Sequence, residues 1–147
     1  MLTLFIVGNN LKCYVAFGKY AKNLHKLFAK SSVTEAQALE FLSYNPPITS
    51  LLVPNEDMLR SLPYFTAVVK HLPNLQEIDA AVTYSHFYED ELQGFQYLVT
   101  NSTTLNSIVL PMNFPVSLFT WLASQTVNNL EHINFMANFN LSDDILR

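Results

Sequence analysis

The chain has 147 residues, half of them apolar and only 14% charged, with a formal net charge of −4. That composition suits one domain with a substantial buried core and excludes a disordered or linker segment. The charge disfavours nucleic-acid binding, the single Cys13 excludes an internal disulfide, and no apolar run reaches the length of a membrane span.

Apolar Leu2 to Val7 reads as a short strand ending at Gly8. Leu24, Leu27 and Ala29 predict a second, weaker strand. Thr34 with Gln37 has the spacing of a capping box and opens a helix through Leu39 and Leu42. Ile48, Leu51 and Val53 give a third strand. Met58 to Leu72 then sets Leu59, Leu62, Phe65, Val69 and Leu72 at helical spacing, with Pro63 either in the first turn or kinking the helix. Leu75, Ile78 and Ala80 form a fourth strand, followed by a helical stripe of Leu92, Phe95, Leu98 and Val99. Leu105, Ile108 and Leu110 precede a second such stripe of Leu118, Phe119, Leu122 and Ala123. Leu130, Ile133 and Phe135 close the series. Asn23, Pro47 (after Asn45-Pro46), Asn74, Thr104 and Asn129 stand just before the five internal strands, where a chain must leave one helix and turn.

One unit thus recurs, Leu-x-x-(Ile/Leu)-x-(apolar)-x-x-Asn, with starts near 2, 24, 48, 75, 105 and 130. Its ninth position holds Asn10, Asn113 and Asn138, but Ser32, Glu56 and Thr83 in the middle units. A helix over one strand cannot bury its apolar face alone, so such units must stack, with their strands parallel. The pattern resembles the leucine-rich-repeat family over nearly the whole chain, most closely in units five and six. The resemblance implies an α/β right-handed solenoid of about six repeats, with short parallel strands on the concave face and helices on the convex face. In that family the Asn side chain bonds the backbone of neighbouring turns. The long returns, and Leu72-Pro73-Asn74-Leu75-Gln76-Glu77-Ile78, look like intracellular repeats of the ribonuclease-inhibitor and F-box-associated types. The implied function is a non-catalytic protein-protein interaction module, with substrate recognition in an F-box-type ubiquitin-ligase adaptor as its narrowest form. Neither end looks polar enough to cap a stack, so a fragment of a longer array, or ends that meet partners, is expected. One Cys and no recognisable signal segment point to a cytoplasmic, or nuclear, setting.

Side chains alternate along a strand, so motif positions one, four and six face the core and positions three, five and seven face outward. The fifth-position row reads Ile6, Phe28, Leu52, Asp79, Val109, Asn134; the third reads Leu4, Lys26, Ser50, Glu77, Ser107, His132. From the outward rows Lys26, Phe28, Leu52, Glu77, Asp79, Val109, His132 and Met136 are the candidate contacts for a protein or peptide ligand. A slip of one residue would make them core instead. The segment Thr83 to Glu91 sets aromatics beside carboxylates, which suits a basic peptide or a solvated helix N-terminus; His86 with Glu89 and Asp90 makes a poor metal set.

Two other readings stay open. Leu2 to Gly8 could begin a small open-sheet α/β enzyme, whose strand order would reverse at a crevice. It lacks the glycine spacing of a nucleotide fingerprint, and Cys13 has no evident partner among His25, His71, His86 and His132. Neither a cofactor nor a catalytic residue is expected. Alternatively, Lys12, Lys19, Lys22, Lys26 and Lys30 would share one arc of a continuous basic amphipathic helix that binds a membrane or a partner helix.

Overall fold

The turn chemistry written in the sequence sets most element boundaries. Thr34 caps its helix reciprocally: its hydroxyl accepts from the Gln37 amide at 3.3 Å, while the Gln37 side chain accepts from the Thr34 amide at 3.0 Å. At the far end Asn45 takes a left-handed φ of 49°, which Asn tolerates, and its Oδ1 lies 2.7 Å from His71 Nδ1. The computed structural model describes residues 1–7, 11–30, 32–81, 89–111, 114–125 and 129–136. In chain order these form β1 (Leu2–Val7), α1 (Leu11–Tyr20), β2 (Leu24–Lys30), α2 (Glu35–Ser43), β3 (Ser50–Leu52), α3 (Glu56–Leu59) and α4 (Leu62–His71). They continue as β4 (Glu77–Asp79), a 3-10 turn (Glu89–Leu92), α5 (Gln93–Asn101), β5 (Ser107–Pro111), α6 (Val116–Ser124) and β6 (His132–Met136).

The expected single helix from Met58 to Leu72 is two helices. Ser61 breaks it: its Oγ accepts from the Tyr64 amide at 3.0 Å and donates to Glu35 Oε2 at 2.6 Å, capping α4 afresh. Pro63 occupies the first turn of α4. The new start resets the helical phase, so Tyr64, Phe65 and Val68 are buried and Leu62 is left exposed. The last expected stripe is narrower than read: Leu118 and Leu122 are buried, Phe119 half-buried and Ala123 exposed.

The six strands make one parallel sheet in the order β1-β2-β3-β4-β5-β6, with no reversal. At the last three strand entries one carbonyl serves two amides of the next unit. Thr49 O accepts from Gln76 and Glu77, Gln76 O from Asn106 and Ser107, and Asn106 O from Glu131 and His132, all at 2.8–3.0 Å. The residues before the strands add side-chain stitches. Thr104 Oγ1 donates to Leu75 O at 2.7 Å and Pro73 O at 3.1 Å, and Asn129 Nδ2 donates to Thr103 O. Residues 24–30 are a strand, with Leu24, Leu27 and Ala29 buried, so the proposed continuous lysine helix does not form. Its lysines divide between α1, the following turn and β2.

From β2 to β5 the core-facing positions are as expected: Leu27, Leu51, Ile78 and Ile108 align across the sheet and are each at most 2% exposed. Unit one differs. The ladder shifts between Leu2 and Thr3, after which Leu4 pairs with Leu27 and Phe5 with Phe28. This bulge sends Phe5 outward and turns Ile6, with Leu4, to the core side. The assignment of Leu4 and Ile6 to the outward rows is therefore overturned.

Helices pack on neighbours in sequence, α1 on α2, α2 on α4 and α4 on α5. Two glycines let them approach closely. A Cβ at Gly18 would lie 2.5 Å from the Phe41 ring, and one at Gly94 would lie 2.7 Å from the Ser61 carbonyl oxygen. Aromatic contacts tie the layer together, from Tyr14–Phe41 (ring centroids 4.6 Å apart) to Phe65–Phe95 (6.3 Å) and Phe95–Phe114 (5.7 Å). Such pairs add about 0.5–1.5 kcal/mol each beyond the area they bury.

Candidate interaction face

Helices cover one side of the sheet, and the other side presents two aligned rows of side chains. Parallel pairing fixes them: Thr3, Lys26, Ser50, Glu77, Ser107 and His132 in one, and Phe5, Phe28, Leu52, Asp79, Val109 and Asn134 in the other. With strands roughly 4.8 Å apart, six strands span about 24 Å. Lys26, Glu77 and His132 are exposed, while Phe28, Leu52, Asp79 and Val109 are half-buried. Seven of the eight candidate contacts are thus brought to one face in the expected register. For the eighth, Met136, the side chain lies outside the described residues.

The face is graded in chemistry. Its β1–β3 end carries an apolar row beside exposed Lys26: Phe5 is 71% exposed and stacks on Phe28 with centroids 5.0 Å apart and planes 14° from parallel, beside Leu52. Its middle is acidic. Ser50 donates to Glu77 Oε1 at 3.3 Å, which draws the serine out of solvent, and Asp79 Oδ1 accepts from the Ala81 amide at 2.9 Å. The far end carries Val109, His132 and Asn134. An apolar platform beside carboxylates anchors an aromatic or aliphatic side chain and attracts a cation.

Phe5 is the residue that sequence reasoning missed. Leu2 to Val7 is apolar on both faces except at Thr3, so alternation carries no register there, and the bulge decides it. Asn55 is a second such residue. It stands one position before Glu56, donates Nδ2 to Val33 O at 2.9 Å, and accepts from the Met58 amide at 3.0 Å. It makes across units the bond that the resemblance implied for a ninth-position Asn; Asn10, Asn113 and Asn138 lie outside the described residues.

Thr83 to Tyr88 also lie outside them, as do the side chains of Glu89 and Asp90; Glu91 is described and bonds Arg60 Nε at 3.3 Å. Cys13 is half-buried on α1. His25 Nδ1 lies 2.7 Å from Asn23 O. Partial burial and neighbouring Lys70 lower the His71 pKa below the ordinary imidazole value. Among the described residues no three His, Cys, Asp or Glu side chains come together as a metal set, and no helix is long and apolar enough to cross a membrane. The chain matches no family model, no curated protein and no solved structure.

Proposed function

We propose that this chain is a leucine-rich-repeat solenoid that acts as a non-catalytic protein-recognition module, with the open sheet face as its contact surface. The observation that carries the reading is the unreversed parallel order, with equivalent residues aligned from strand to strand. An open-sheet enzyme would reverse its order somewhere and open a crevice there. Aligned rows instead give an extended partner a series of subsites repeated at the strand spacing. Phe5, Phe28 and Leu52 supply the apolar anchor, and Glu77 and Asp79 select for a basic group beside it.

The test compares affinity capture by the intact chain and by Leu52→Asp and Val109→Asp variants, with circular dichroism as the check on folding. Both side chains are half-buried on the open face, so both variants should fold and lose the same captured proteins. Retention of every partner by both variants would remove the open face from recognition.

A further inference from the structure

Helix α1 has two apolar flanks; α2 covers one, and the other gives only Phe17 and Ala21, in part, to the core. Tyr14 and Gly18 are buried, against Phe41 of α2. On another flank Cys13, Ala16, Phe17 and Tyr20 recur at i, i+3, i+4 and i+7, the stripe by which a helix meets a neighbour. With Ala21 they line a recess of about 340 Å³. Ala16 is exposed and Tyr20 is 71% exposed, so among the described residues no helix covers this stripe as α2 covers the other flank.

Lysines border the recess, with Glu40 of α2 within electrostatic reach of only Lys19 among them. Lys12 and Lys19 lie about 100° around the helix from the middle of the stripe, and Lys22 follows Ala21. All three are exposed, and Lys19 Nζ sits 5.3 Å from the Tyr20 ring centroid. No Asp or Glu precedes Glu35 in the sequence. A basic helix would meet like charge here, and a flat anionic membrane would leave the recess unfilled. A helix with carboxylates beside an apolar stripe satisfies both features. We infer that the outer flank of α1 is a docking site for an acidic amphipathic helix of a partner protein, lying along α1. The site is separate from the open sheet face and does not depend on it.

The experiment pans a displayed library of helical peptides, randomised in charge and apolar pattern, against the intact chain. Enriched peptides are then measured against wild type, Ala16→Arg and the Lys12→Glu/Lys19→Glu double variant. All three substituted positions are exposed, so circular dichroism should be unchanged. Enriched peptides should carry Asp or Glu flanking apolar residues at i, i+3, i+4 and i+7, and should slow alkylation of Cys13. Each variant should weaken their binding about tenfold or more, and the charge-reversed one should turn the preference toward basic peptides. Enrichment of basic or uncharged peptides, or binding indifferent to Ala16→Arg, would overturn the assignment. So would self-association of the chain that Ala16→Arg abolishes, which makes the occupant a second copy. Binding to phosphatidylserine vesicles without peptide enrichment would overturn it in favour of a lipid surface.

Discussion

Ile108 in β5 and Ile133 in β6 hold the same motif position and pair directly across the sheet, yet Ile108 is fully buried and Ile133 is 38% exposed. Phe135, two residues on, is 53% exposed where its counterpart Leu110 is buried. The opposite edge departs too, since β1 slips by a bulge and turns a phenylalanine outward. Interior strands have a neighbour on each side and helices packed side by side over them. A core position therefore takes its energy from the units flanking it, not from its own motif. Motif residues at the edges keep their identity and lose part of their burial.

Four substitutions test that contrast, from the largest effect to the smallest. Ile108→Asp puts a carboxylate at a site with no exposure and should cost at least about 4 kcal/mol, leaving the chain unfolded in a urea titration. A normal midpoint would break the comparison at its strongest point. Gly94→Ala drives a methyl group against the Ser61 backbone between α4 and α5 and should cost about 2 kcal/mol. The matching Gly18→Ala on edge helix α1 should cost about half as much, because α1 can shift outward and the nearest atom is a Phe41 ring atom, not backbone. Equal losses would show that both helix contacts are equally fixed. Ile133→Asp should cost about 1 kcal/mol or less, since much of that side chain already meets water.

A fifth substitution should bring a gain. Tyr64 is fully buried and its hydroxyl has no hydrogen-bond partner among the described residues, so Tyr64→Phe should stabilise the chain by about 1 kcal/mol in thermal unfolding. Burial pushes both the Tyr14 and Tyr64 phenols above their ordinary value, and Tyr64 is raised further by Tyr14. The unfolded chain releases these protons near pH 10, and the folded chain holds them. Stability should be intact below about pH 10 and decline as pH rises beyond it, with a shallower decline in Tyr64→Phe. Tyrosinate absorbance that rises in full before unfolding would contradict this burial.

Much of this was legible because its causes are local. Thr34 and Gln37 stand close enough in the chain to cap each other, and Thr104 and Asn129 stitch the strand entries they were read as marking. The register from β2 to β5 was legible because apolar Leu27, Leu51, Ile78 and Ile108 each follow a polar residue, Lys26, Ser50, Glu77 and Ser107. The Ser61 break was not, because a helical stripe from Leu59 to Leu72 tolerates a polar residue on its outer side. What moved the boundary was the bond from Ser61 to Glu35, 26 positions away. Asn55, and the burial of Ser50 within its outward row, were missed for a similar reason: each is defined by a partner in another unit, Val33 and Glu77.

The strand-and-helix alternation, the turns that punctuate it and the side of each interior strand that meets the core are all written in the order of the residues. These follow from periodicity and turn chemistry within a few residues. The tertiary structure decided which residues stand at an edge, that Phe5 joins Phe28 on the open face, and that α1 keeps an apolar flank bordered by lysines. Those outcomes depend on which unit has a neighbour, and an apolar residue reads the same whether a neighbour covers it or water does.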